Sequence, residues 1–365
     1  MDRKPIYYSE YLKLEKFLTS QAPITKNLIK EEIDSHDEML FIIVHQAYEL
    51  WFKQIIHELS SVMDYMNEKN IVESKIALIV HRLKRIIKIQ GLFVPHIEIL
   101  ETMTPMDFLE FRDYLVPASG FQSVQFREVE IRLGLSTQKR FSVDRHAFLG
   151  RLNEKDRAKL EKVERLPNML TLLNKWLERM PFIKEKNFNF WSQYQETVKK
   201  HFETEKNIIQ KNRFLSDLDR KSQLINLKST VDHFKLLFDE TSYQELIKKK
   251  RAKLSQKAIL SALFILLYRD RPILHMPYQL LTALMDIDEN FTSWRYRHAL
   301  LAKRMLGSKI GTGGTSGHEY LKKAADNNRV FEDLFNLSSF LIPRSGLPKL
   351  PDELEKRMGL YFQER

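Results

Sequence analysis

Cysteine is absent from all 365 residues, which rules out disulfides, thiolate nucleophiles, Fe–S clusters and cysteine-bound zinc. A metal in this protein has to be held by histidine, carboxylate or a prosthetic group, so the 11 histidines deserve the first look. Proline is missing from residues 24–94 and again from 182–271. Apolar positions in both spans recur at helical rather than alternating spacing, which predicts an all-α fold. Long apolar runs are missing as well. Every hydrophobic stretch is interrupted by charge short of a membrane span, and no basic-then-apolar leader opens the sequence, so a cytoplasmic protein with no membrane partner is expected. Glycine is scarce but clustered, with four of its 11 occurrences between Gly311 and Gly317.

The sequence that remains is 43% hydrophobic, ample for a packed interior, and carries a net charge of +11. The densest basic run, Lys248–Lys253 (KKKRAK), invites a nucleic-acid reading. No zinc finger, RNA-binding signature or helix-turn-helix accompanies it, and the other basic residues are interleaved with acids. A solvated helical face explains it better, and no nucleic-acid partner is expected.

Several helix boundaries follow from local chemistry. Thr104, Pro105 and Asp107 have the character of an N-cap, an N1 proline and an acidic N3 residue, starting a helix that carries Phe108, Phe111 and Arg112 and stops at Pro117. An Ala118-Ser119-Gly120 turn leads to an amphipathic pattern from Phe121 to about Leu135. Another runs from near Asn290 to Gly307, a plausible C′ residue. Residues 1–154 and 251–365 read as the two parts of one helical core. Residues 155–250, richer in Lys, Glu and Asn, read as a helical insertion subdomain; Trp176, Phe182, Phe188, Phe190 and Trp191 argue against a disordered linker there.

Two histidines occupy apolar patterns. In Asp37–Leu59, DEMLFIIVHQAYELWFKQIIHEL, helical spacing surrounds His45 with Phe41, Ile42, Tyr48 and Phe52. A flat organic ligand would fit such a setting, although a hydrogen-bonded core histidine is the commoner explanation of one segment alone. His298 shares a helical face with Trp294, Leu301 and Met305 and runs into the loop GTGGTSG, Gly311–Gly317. That loop follows a helix and lacks the lysine of a P-loop, so its glycines point to backbone mobility and close approach rather than to nucleotide binding. Arg112, beside Phe108 and Phe111, has the character of a carboxylate clamp, with an ion pair to Asp113 or Glu110 as the ordinary alternative. Together these elements suggest a haem pocket for an amino acid.

The motifs YYSEYLKLEKFLTSQ, HDEMLFIIVHQAYELWFKQIIHEL, FRDYLVPASGFQSVQFREVE and LMDIDENFTSWRYRHALLAKRMLGSKIGTGGTSGHEYL, with the tail LFNLSSFLIPR, resemble the tryptophan 2,3-dioxygenase family over roughly two thirds of the chain and in family order. The 155–250 segment contributes least. The resemblance implies a helical homotetramer with one haem b per subunit. It also implies insertion of both atoms of O₂ across the indole C2–C3 bond of L-tryptophan to give N-formyl-L-kynurenine, the opening step of the kynurenine pathway. By that resemblance His298 is the proximal haem ligand, with Trp294, Ser119 and Gly120 lining the haem pocket. His45 is the distal histidine that hydrogen-bonds the indole N–H, and Phe41 packs on the indole. Arg112 pairs with the substrate carboxylate, and Thr312 contacts the ammonium and carboxylate. Tyr8 and Tyr11 reach the site of a neighbouring subunit. Residue 108 is Phe where some bacterial relatives place Tyr, which implies one fewer contact near the substrate carboxylate. Two other outcomes stay open: a relative that monooxygenates a substituted tryptophan or another aromatic amino acid, and a catalytically silent haem or tryptophan sensor.

Overall fold

The computed structural model describes residues 5–27, 35–135, 152–182, 184–185, 188–307, 309 and 317–359. Its described residues are overwhelmingly helical, as the periodicity predicts. The helices, in chain order, are α1 (Tyr8–Leu12), α2 (Leu14–Leu18), α3 (His36–Met66), α4 (Glu73–Gln90), α5 (Phe93–Leu100), α6 (Pro105–Arg112), α7 (Val124–Leu133), α8 (Glu154–Glu164) and α9 (Met169–Leu177). There follow α10 (Phe190–Lys211), α11 (Asp217–Phe238), α12 (Glu240–Lys248), α13 (Gln256–Leu267), α14 (Pro272–Leu306), α15 (Gly317–Asn327), α16 (Glu332–Asn336) and α17 (Asp352–Met358). One two-residue antiparallel pairing interrupts the helices, with Lys184 opposite Asn189 and Glu185 opposite Phe188.

The chain clusters into two compact units. One comprises residues 1–59, 85–166 and 289–329, the other 60–84, 167–288 and 330–365. In the first, α3 buries Val44, Tyr48, Phe52, Ile55 and Leu59, a 4-4-3-4 spacing that keeps one stripe inward over about four turns. Phe93 and Ile97 of α5, Val129 of α7 and Phe291 of α14 complete this core. In the second unit, Phe190, Trp191 and Tyr194 of α10 meet Phe234 and Phe238 of α11 and Phe264 and Tyr268 at and beyond the end of α13. The aromatic residues of the 155–250 region that are described therefore include genuine core members.

The expected caps are present. Thr104 Oγ1 accepts from Asp107 N at 3.3 Å while the Asp107 carboxylate accepts from Thr104 N at 2.9 Å, a reciprocal capping box at the start of α6. Gly307, at φ 59°, ends α14, its N–H donating to Lys303 O. Helix α7 is shorter than the sequence pattern, running from its N-cap Ser123 to Gly134 at φ 120°.

The start of α14 differs from expectation. The helix begins at Pro272, not near Asn290, and runs for 35 residues with Pro277 inside it. Pro272 sits at N1, where no N–H is needed, and Pro277 forfeits one bond, to the Ile273 carbonyl, within the first two turns. The acidic cluster Asp286-Asp288-Glu289 resembles a first helical turn, but Asp288 has a tertiary task. Its buried carboxylate accepts from Val330 N at 3.0 Å and Phe331 N at 2.9 Å.

Asp333 does the same for a second loop, accepting from Lys253 N at 2.6 Å and from buried Leu254 N at 2.7 Å. Removing a carboxylate that serves two backbone donors strands those donors. Asp333→Ala is expected to cost on the order of 3 kcal/mol, read as a lower urea midpoint with unchanged m-value. A change below about 0.5 kcal/mol would mean that water replaces the carboxylate without loss.

Candidate functional site

A cavity of about 630 Å³ opens inside the first unit, within the size range of small-molecule and cofactor sites. Its walls come from a few helices. Helix α3 supplies Phe41, His45, Tyr48 and Phe52; α6 supplies Phe108 and Arg112; the turn before α7 supplies Ser119 and Gly120. Helix α7 adds Phe126, Arg127 and Glu130, and α14 adds Trp294, Arg295, His298, Leu301 and Met305. Because Phe41, His45, Tyr48 and Phe52 are spaced at three and four residues, one face of α3 presents all four rings to the cavity. The same rule aligns Trp294, His298, Leu301 and Met305 on α14.

The His45 ring lies 4.0 Å from the Phe41 ring, centroid to centroid, and Phe41 also meets Phe108 and Phe111. His45 Nδ1 is 2.7 Å from the Phe41 carbonyl oxygen. A carbonyl only accepts, so Nδ1 carries the proton and the neutral ring has Nε2 left as an acceptor. The ring is reachable from the cavity yet surrounded by protein, and this burial lowers its pKa, against opposing contributions from the Phe41 carbonyl and Glu49. His298 is depressed further, to about 4, by burial and then by the proximity of His45. Among the described residues, no hydrogen bond to the His298 ring is present. Both imidazoles are therefore neutral near pH 7.

The charged residues on the wall are paired. Glu130 takes one guanidinium on each oxygen: Arg127 on Oε2 at 2.8 Å and Arg295 on Oε1 at 2.8 Å. Arg295 also donates to the Asn328 carbonyl at 3.2 Å. All three side chains are buried. Arg112 is 14% exposed and keeps a 3.5 Å contact with Asp113, which is 83% exposed. The ordinary ion-pair reading is thus present geometrically, but a pair with a solvated partner is weak, and the guanidinium still lines the cavity.

The structure brings together Phe41, His45, Phe108, Arg112, Ser119, Gly120, Trp294 and His298 from separate parts of the sequence. Tyr8 and Tyr11 are elsewhere, on α1, at 70% and 69% exposure, and do not line this cavity. Thr312 lies outside the described residues. Sequence reading overlooked Arg127, Glu130 and Arg295 as site residues and took Tyr48 only as an aromatic neighbour. The available signal was faint: FREVEIRL in α7 mixes charge and aliphatics with no clean polar face, and Arg127, Glu128 and Glu130 are all buried.

Comparison with known proteins agrees with this arrangement. The family model described as tryptophan 2,3-dioxygenase matches residues 1–341. The chain belongs to the tryptophan 2,3-dioxygenase family. It is 47% identical over 360 residues to the tryptophan 2,3-dioxygenase of Alteromonas mediterranea, covering 99% of each chain. It is 44% identical over 362 residues to that of Bdellovibrio bacteriovorus, covering 99% of this chain and 100% of the relative. The Dictyostelium discoideum enzyme is 45% identical over 361 residues, covering 99% of this chain and 90% of the relative.

The cavity suits the haem that the resemblance implies. Aromatic and aliphatic walls match a flat macrocycle, and the half-buried imidazole of His298, its pKa lowered to about 4, is in the neutral state that an axial ligand to iron requires. The guanidinium groups of Arg127 and Arg295 on the wall are of the kind that binds carboxylates such as those at the edge of a haem. Among the described residues no cluster of three or more His, Asp or Glu forms a separate metal site, and no described helix is long and apolar enough to cross a membrane.

A neutral imidazole in the fold makes stability depend on pH. An unfolded histidine takes up its proton near 6.5, whereas His298 does so near 4. Between these values the unfolded chain binds more protons, so stability falls as pH drops across that window and levels off below it. The effect is about 3 kcal/mol. In haem-free protein, His298→Phe is expected to flatten this acid limb in denaturant titrations run at several pH values. An acid limb unchanged by the substitution would show that His298 binds its proton in the fold as readily as in the unfolded chain.

Proposed function

We propose that the protein is a tryptophan 2,3-dioxygenase. It inserts both atoms of O₂ across the indole C2–C3 bond of L-tryptophan to give N-formyl-L-kynurenine, with haem b held by His298 at one per subunit. The reading rests on one observation above the rest: two imidazoles, His45 and His298, on different helices of one aromatic-walled cavity that also contains Arg112.

When bound, the haem supplies oxygen activation and the oxidation itself. The chain supplies binding and orientation. The Arg112 guanidinium holds the substrate carboxylate in a two-pronged contact, and Phe41 and Phe108 wall the indole. His45 Nε2, left as an acceptor because Nδ1 is committed to the Phe41 carbonyl, takes the hydrogen bond from the indole N–H. The indole keeps its proton, being a far weaker acid than the imidazolium that transfer would create; His45 aligns the substrate and is not a strong base. Ser119, Gly120 and Trp294 line the haem, Phe41 and its neighbours exclude water, and Thr312 contacts the ammonium and carboxylate.

The proposal includes a cytoplasmic homotetramer in which Tyr8 and Tyr11 complete a neighbouring subunit's site. The exposure of Tyr7, Tyr8, Tyr11 and Leu18 supports this, because a run of apolar surface on a short N-terminal segment is a surface to be covered.

The deciding experiment supplies reduced, haem-loaded protein with L-tryptophan and ¹⁸O₂. A product carrying two labelled atoms is expected. One labelled atom would indicate a monooxygenase, and no product would leave a binding protein. Arg112→Ala is expected to raise KM for tryptophan by an amount worth about 2–5 kcal/mol, as for a truncated, desolvated charge pair, with the haem spectrum unchanged. Equal kinetics in the variant would remove Arg112 from substrate binding.

A further inference from the structure

The proposed chemistry gives Tyr48 no part, although it sits in the cavity wall between the two histidine-bearing helices. Tyr48 lies one turn after His45 on α3, and Trp294 lies one turn before His298 on α14. Trp294 Nε1 donates to the Tyr48 hydroxyl at 3.3 Å, and that hydroxyl donates its own proton to the Phe93 carbonyl at 2.5 Å. The roles are forced: an indole nitrogen only donates and a carbonyl only accepts, so the phenol must relay between them. Burial pushes the Tyr48 hydroxyl up, which keeps it protonated and keeps the relay in one direction.

Among the described residues, Trp294 otherwise packs against rings. Phe52, Phe93 and Phe126 surround it at 5.1–6.2 Å between centroids, and its indole lies tilted by 32° over His298 at 5.7 Å. Ring contacts tolerate rotation and sliding, whereas an N–H···O bond is directional. The Tyr48 bond is thus the polar anchor that fixes how Trp294 faces His298, and it ties the helix carrying His45 to the helix carrying His298.

We propose that Tyr48 is a positioning residue for the proximal ligand: through Trp294 it sets the orientation of the His298 imidazole and the spacing of the two cavity walls. This rests on the reading of His298 as the haem ligand. A phenol held at both ends acts here as a strut, and removing its oxygen frees the indole while leaving the apolar packing in place.

The test compares Tyr48→Phe, Trp294→Phe and the double variant with the unaltered protein, each haem-loaded and reduced. The iron–histidine stretching band and the rate of haem release to a scavenger are read. Each single variant is expected to shift the band and to speed release several-fold, and the double variant to go no further than the larger single, because both interrupt one connection. A Tyr48→Phe band and release rate equal to those of the unaltered protein overturn the proposal, as does a change confined to the thermal midpoint. Fully additive effects overturn it too. A band that is missing from the unaltered protein, or that survives His298→Ala, refutes the haem reading instead. The contact is then judged in haem-free protein by solvent exchange of the Trp294 indole proton: faster exchange in Tyr48→Phe supports the strut, and equal exchange overturns it.

Discussion

Two imidazoles facing one aromatic cavity, each with its pKa held below the ordinary histidine value by loss of solvation, are the constraint around which this protein is organised. A charged histidine in an aromatic cavity would need a carboxylate or an ordered water shell, and a neutral one needs only its N–H satisfied. The fold meets that condition differently at the two positions. His45 gives its Nδ1 proton to the carbonyl one turn back on its own helix, which fixes the tautomer and leaves Nε2 turned to the ligand. His298 is left without such a bond among the described residues and is held by packing against Trp294. One ring is poised to accept a hydrogen bond and the other to coordinate. The difference in their partners, more than the residue type they share, assigns the two roles.

The charged groups follow the same economy. Glu130 bridges two buried arginines on the cavity wall, one on each carboxylate oxygen. Such a network contributes little net stability, because desolvation offsets most of the attraction. Losing one member is costly, since it leaves an unbalanced charge buried. Its retention beside the cavity therefore makes more sense as ligand recognition than as a structural brace. Arg112 differs in kind: its acidic neighbour Asp113 is solvated, and its guanidinium lines the cavity.

Much of this was legible in the sequence. Helical periodicity over proline-free spans indicated the all-α fold, and the Thr104–Asp107 spacing located one helix start to the residue. His45, His298 and Arg112 stood out because each interrupts an apolar or aromatic pattern with a group that needs a reason to be there. Arg127, Glu130 and Arg295 did not, because a charge on a helix is ordinarily solvated and only the three-dimensional pairing reveals these as buried. Tyr48 looked like one more core aromatic, since nothing local shows that its hydroxyl meets residues 45 and 246 positions away. The early start of α14 was hidden by Asp288, whose carboxylate caps a distant loop while imitating a first turn.

The central claim is the protonation state of the two cavity histidines, and ¹⁵N NMR of the imidazoles in haem-free protein measures it directly. One unit below the ordinary histidine pKa, exposed histidines should be mostly charged. His298 should still give neutral-ring shifts there, and His45, its neutral ring protonated on Nδ1, should take up its second proton below the exposed histidines. Imidazolium shifts for both rings at that pH, titrating with the exposed histidines, would contradict the account.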